Sequence, residues 1–250
     1  MKYLSKIKPL YFQVVMIVIT LVSSSSYLRI KLGSYAVYGL AFGVLVCLIT
    51  LFDGTFKRVI SEKENWLLFA FCASYLISIL LCRQSGLVEN IKQLIFMAVF
   101  FYLFTMVTQL RSKEEKLKDI KVIAWVYVIS TFIIAIVSFY MFLIGYFSFG
   151  VDPETGLQFE IGMVWTRLCG LYNSNTSASL FTISFIVSLA LIFDTKRGGK
   201  GRLIVFALNI INLIVEYCCI ILTASRGATY SFYLALVLFL CFVLFQAQSK

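Results

Sequence analysis

Histidine is missing from all 250 residues, which removes the commonest general base and the commonest metal ligand from any chemistry the chain could perform. Proline occurs only twice, and 14 glycines are few for a chain built from short alternating strands and tight turns. That scarcity argues against a barrel and for long uninterrupted helices. Charged residues make up only 14% of the chain against 61% hydrophobic ones, far more apolar surface than one soluble core of this length needs. No Cys-x-x-Cys pair occurs among the seven cysteines, so neither a metal site nor a cofactor is indicated. Cys47, Cys72, Cys218, Cys219 and Cys241 fall inside apolar runs, where cysteine behaves as a small hydrophobe. Cys82 and Cys169 lie near the ends of such runs, but no repeated spacing supports a disulfide framework.

What is present in abundance is hydrocarbon, including 24 phenylalanines. Apolar runs long enough for a bilayer crossing, which needs about 20 helical residues, fall near 9–26, 35–52, 66–82, 91–110, 120–146, 174–193, 203–222 and 229–246. The expected class is therefore all-α: a polytopic membrane protein of about eight transmembrane helices, forming a single membrane domain over 1–250. The first run is short, and with Lys2, Lys6 and Lys8 before it and Ser23 to Ser26 after it, it also resembles a secretory signal peptide.

The net charge of +10 would suggest nucleic acid in a soluble protein, but here lysine and arginine cluster between apolar runs, so no nucleic-acid partner is expected. With the amino terminus inside, alternate segments carry 16 basic residues on the cytoplasmic side and 6 on the other. That asymmetry places both termini in the cytoplasm. It also places the segment from Phe147 to Tyr172, and the turn from Thr223 to Gly227, on the outer face.

Those two outer stretches hold the most concentrated polar chemistry. Arg167, Gly170, Asn173, Ser174 and Asn175 lead from a loop into the sixth expected helix, whose free N–H groups and positive dipole end favour an anion. Ser225, Arg226 and Gly227 interrupt an apolar run of more than forty residues, and a guanidinium there matches the geometry of phosphate or carboxylate oxygens. From spacing alone both readings stay open: helix capping with lipid-anchoring arginines, or a phosphate site. Glu216 lies inside the seventh helix and shares a face with Asn209, Asn212 and Thr223. There it is either an interhelical polar clamp or a carboxylate that orients an arginine at the site. Asp152, Glu154 and Glu160 read as solvated loop carboxylates.

Arg-x-x-Gly-x-x-Asn-x-Asn, two helices, and then Thr-x-Ser-Arg-Gly-Ala together resemble the O-antigen ligase and capsule or O-antigen repeat-unit polymerase superfamily of bacterial envelopes. Arg167, Gly170, Asn173 and Asn175 match the first motif, with Ser174 where proline is usual, and Ser225, Arg226 and Gly227 match the second. The resemblance covers about residues 60–250. It implies a GT-C-like fold in the bacterial inner membrane and metal-independent, inverting transfer of a glycan from a polyprenyl-diphosphate carrier. It also implies arginines at positions 167 and 226 that hold the diphosphate. Family members continue into a large outer loop with further arginine and often histidine, then more helices, so the chain resembles their amino-terminal part. A companion chain or a further carboxyl-terminal region is then expected for activity. A transporter or flippase for an anionic or lipid-linked substrate is the alternative from another class, although paired repeats or midplane helix breaks are not evident.

The charge asymmetry makes a direct prediction. Cysteines introduced at Gly156 and Thr223 should react with an impermeant maleimide added outside the cell, whereas one at Gly199 should not. Reaction at Gly199 alone would invert the topology.

Overall fold

The computed structural model describes residues 9–28, 43, 45, 55–63, 65–81, 87–151, 158–194 and 200–248. The chain divides into two compact units where the sequence suggested a single membrane domain. The first comprises Met1–Ser23 and Ser34–Ile123, the second Ser24–Gly33 and Ala124–Lys250.

The first unit holds helices α1 (Pro9–Ser24), α2 (Thr55–Ser61), α3 (Asn65–Leu81) and α4 (Leu87–Phe101). Helix α4 runs on through a π-turn at Tyr102–Met106 into Val107–Gln109. A π-turn loosens the regular ladder of backbone hydrogen bonds and frees a carbonyl. Gln13 of α1 uses that opening: its buried amide nitrogen, Nε2, donates to the Leu103 carbonyl at 2.7 Å and to Thr108 Oγ1 at 2.8 Å. Met16, Val59, Val99, Tyr102, Leu103, Met106 and Val107 close the core around this turn. Asn65 caps the end of α2 by donating to the Val59 carbonyl at 2.8 Å.

Helix α5 (Lys113–Leu143) starts in the first unit and continues into the second. Its start is fixed by a reciprocal capping box: the Glu115 N–H donates to Ser112 Oγ, and the Ser112 N–H donates to Glu115 Oε2. Arg111 pairs with Asp119 and, at 3.5 Å, with Glu115, anchoring the basic segment onto the first turns. The helix ends in a Schellman motif: Gly145, at φ +63°, gives its N–H to the Phe142 carbonyl while the Tyr146 N–H reaches back to Met141.

The second unit adds α6 (Ser174–Asp194), α7 (Lys200–Leu222) and α8 (Arg226–Gln248), with α6 packed against both of the others. Between α5 and α6 lies a three-stranded antiparallel sheet in the order β1 (Phe147–Val151), β2 (Gln158–Val164), β3 (Arg167–Gly170). The helical class therefore holds for most of the chain, but the all-α expectation fails here. The physical cause is visible in Phe-Ser-Phe-Gly-Val and in Gln-Phe-Glu-Ile-Gly-Met-Val, which alternate with the period of a strand. The serines after α1 belong to the same region of the second unit. Ser25 is buried and donates to the Leu171 carbonyl at 3.0 Å, and the Tyr27 N–H donates to it at 3.2 Å. The stretch that resembles a signal-peptide cleavage region is thus built into the second unit.

Among the described residues, four helices are long and apolar enough to cross a bilayer: Lys113–Leu143 and the cores of α6, α7 and α8. The chain is a membrane protein on that ground. Leu10–Val22 and Leu94–Met106 are apolar but shorter, and the expected crossing at 35–52 lies largely outside the described residues. Only 6% of the apolar window of α8 is buried within the protein, which leaves Tyr230, Leu234, Leu238 and Phe245 facing outward as lipid-contacting side chains.

The sheet depends on a bulge where the pairing of β2 with β3 shifts between Gly162 and Met163. Gly162 sits at φ +75°, and a Cβ there would collide with the Tyr146 carbonyl, whereas a Cβ on Gly145 meets nothing within 4 Å. Gly145→Ala should therefore cost about 1 kcal/mol of left-handed strain. Gly162→Ala adds overpacking to that strain, about 2–5 kcal/mol together. Reversible unfolding in detergent would check this ranking, and equal losses for the two variants would contradict the bulge.

Candidate functional site

The residues of the two arginine motifs converge on the sheet end of the second unit. Arg167 opens β3, follows the Trp165–Thr166 turn and is half-buried. Its Nε–H donates to the Thr223 carbonyl at 3.1 Å, and its Nη2 donates to Asn175 Oδ1 at 3.4 Å. Ser225 Oγ donates to that same Asn175 oxygen at 2.9 Å. One amide oxygen has two lone pairs, so Asn175 accepts from both motifs at once. Thr223 is the residue just past α7, where unsatisfied carbonyls give the helix its negative end, so a guanidinium there is also favoured by the helix dipole.

Among the described residues, these bonds engage two of the five N–H donors of Arg167 and leave three for another acceptor. The α7–α8 turn presents more donors. Ala224 is held at φ +49°, and Ser225 Oγ donates to Asn175. Among the described residues, the N–H groups of Arg226, Gly227 and Ala228 at the start of α8 have no acceptor, and the Arg226 side chain is exposed without an ion pair. A Cβ on Gly227 would meet nothing within 4 Å, so the space over this helix start is open. Unsatisfied N–H groups, a positive dipole end and a free guanidinium together suit an anion.

The remaining members of the first motif build the frame. Asn173 caps α6: its Oδ1 accepts from the Thr176 N–H at 2.8 Å. Gly170 adopts φ +63° and lies directly against Ser138 of α5, leaving no room for a side chain. The next turn is clamped by Ser177 Oγ, which donates to the Cys169 carbonyl at 2.5 Å. Cys169 itself is a buried free thiol directed at Glu160 Oε2, 3.5 Å away. Burial first, and the Glu160 carboxylate second, push that thiol up to about 11, so it stays neutral at physiological pH. Cys82, Asp152 and Glu154 lie outside the described residues.

Two sequence readings need amendment. Among the described residues no arginine faces Glu216, which is fully buried and has Ser184, Asn212 and Thr131 as its polar neighbours, the setting of an interhelical polar clamp. Thr223, chosen above as an exposed reporter, is also fully buried, and Gly156 and Gly199 lie outside the described residues. Trp165 is the better outer probe at 92% exposure. Its φ of +57° is unusual for so bulky a residue and went unnoticed in the sequence, which carries no glycine or asparagine to mark that turn.

No protein-family model, curated protein or solved structure matches the chain. The functional reading therefore rests on the residues themselves.

Proposed function

We propose that the chain belongs to an envelope polysaccharide ligase or polymerase of the bacterial cell membrane. Its fold would be GT-C-like, with eight crossings and both termini in the cytoplasm. In this reading Arg167 and Arg226 hold the diphosphate of a polyprenyl-diphosphate-linked glycan at the outer face. The observation that carries it is the network in which Asn175 joins Arg167 to Ser225, bringing the two arginine motifs to one helix turn.

The chemistry follows from where charge develops. An acceptor hydroxyl attacks the anomeric carbon, the bond from that carbon to the diphosphate oxygen breaks, and negative charge accumulates on the departing diphosphate. Donors already fixed at that position stabilise the transition state more than the ground state. Arg167 would supply its free N–H groups, already oriented by Thr223 and Asn175, while Arg226 and the first N–H groups of α8 complete the cradle. The acceptor's proton needs a base. Glu160, on the same sheet as Arg167 and in contact with Cys169, is the described carboxylate on hand. The buried Glu216 is not placed for that role.

Lysine keeps the charge but loses the planar fork. Each charge-assisted hydrogen bond to phosphate contributes about 1.5–3 kcal/mol, so Arg167→Lys and Arg226→Lys should each lower glycan transfer by about tenfold or more. Membrane abundance should not change. Arg58→Lys, an exposed basic position on α2 that belongs to neither motif, serves as the control. The assay follows transfer from a lipid-linked glycan in cells that supply any companion chain. Undiminished transfer in both motif variants would leave headgroup anchoring as their role. Normal transfer with lost translocation of the lipid-linked donor would favour the transporter reading.

A further inference from the structure

Inside the second unit, away from the arginines, a lane of buried oxygen atoms runs between three helices. Thr131 of α5 donates to Ser184 Oγ of α6 at 2.6 Å. Asn212 Nδ2 of α7 donates to Ser188 Oγ of α6 at 2.8 Å. Glu216 lies one turn beyond Asn212, has no exposed surface, and faces Ser184, Asn212 and Thr131. Yet neither of its carboxylate oxygens accepts a hydrogen bond, and Asn212 Oδ1 is also unpartnered.

The imbalance has one sign. The single hydroxyl hydrogen of Thr131 has three acceptors in reach, the carbonyls of Tyr127 and Val128 and Ser184 Oγ. Four pure acceptor atoms on α7, Asn209 Oδ1, Asn212 Oδ1 and both Glu216 carboxylate oxygens, meanwhile lack any donor. Tyr127 and Cys219 are the titratable groups beside Glu216, and neither can carry a positive charge. An ionised carboxylate inside a membrane-spanning bundle is costly unless a proton neutralises it or a cation lies against it, and one proton would supply a single donor for these several acceptors. The oxygens of Thr131, Ser184 and Asn212 are hard ligands that suit a hard cation, and the charge count selects its valence. One carboxylate among neutral ligands is neutralised by one monovalent ion, whereas a divalent ion would leave a net buried charge.

We propose that Glu216, with Asn212 Oδ1 and the hydroxyls of Thr131 and Ser184, forms a binding site for one monovalent alkali cation. The site is independent of the glycan-transfer reading, because it uses none of the residues assigned to the diphosphate. The bound ion would tie α5, α6 and α7 together below the turn that presents Arg226.

The test uses the whole chain in lipid nanodiscs, with sodium or potassium chloride replacing N-methylglucamine chloride at constant ionic strength. A cation bound only by the folded state raises the melting temperature by about 3 °C or more at ten times its Kd. This rise should saturate for at least one of the two ions. It should vanish in Glu216→Gln, whose amide can donate to the surplus acceptors and so preserve the fold. Asn212→Leu should require about tenfold more cation for the same rise. Should Glu216→Gln fail to fold, infrared difference spectra of the wild-type chain decide the matter. A carboxylate band that shifts on addition of the alkali ion supports the site, and an unchanged spectrum overturns it. A wild-type chain indifferent to both ions, one responding to pH alone, or a Glu216→Gln variant responding as wild type does would each overturn it.

Discussion

The hydrogen bond from Arg167 Nε to the Thr223 carbonyl fixes the geometry of the whole sheet end of the second unit. It joins a strand to the end of a membrane-spanning helix, and it uses a carbonyl that helix α7 cannot satisfy internally. A charge-assisted bond of this kind contributes about 1.5–3 kcal/mol, and its direction matches the negative end of the α7 dipole. Asn175 then converts a pairwise tie into a three-way one by accepting from Arg167 and from Ser225. Among the described residues, the first N–H groups of α8 are uncapped beside an exposed arginine. The same bonds that hold the turn together thus leave donors over for an anion.

Helix α7 links this surface to the buried interior. Its last turn meets Arg167, while two turns further in it carries Glu216 on the face that packs toward α5 and α6. Burial forces each polar side chain along that face to find a partner or a counter-charge, since lipid supplies neither. Gly170 and Ser138 show how close the sheet and α5 approach: only a residue without a side chain fits between them. The strand that positions Arg167 is therefore set by backbone packing as well as by its hydrogen bonds.

Much of the helical framework was legible from apolar run length alone, since α5, α6, α7 and α8 coincide with runs placed from hydropathy. The ends were less so. Helix α5 begins seven residues before its apolar core because Ser112 and Glu115 cap it, a signal written in Ser-Lys-Glu-Glu but masked by the high local charge. The sheet was missed because two five-to-seven-residue alternating stretches look like loop beside long apolar runs, although their alternation marks them as strands. The meeting of Arg167 with Ser225 through Asn175 could be anticipated from shared sidedness. The use of the Thr223 backbone could not, since no side-chain pattern records which carbonyl a helix end leaves free. Glu216 was recognisable as an intramembrane carboxylate, but its neighbours come from α5 and α6, and sequence spacing is blind to contacts across helices.

The central claim is that Arg167 and Arg226 act on one anion. A double-mutant cycle on binding of a lipid diphosphate to the purified chain, using Arg167→Lys, Arg226→Lys and the pair, tests it most directly. If both guanidiniums grip the same diphosphate, the single losses should not add, and the coupling should be about 0.5–3 kcal/mol. Strictly additive losses would place the two arginines on separate ligands and contradict the account.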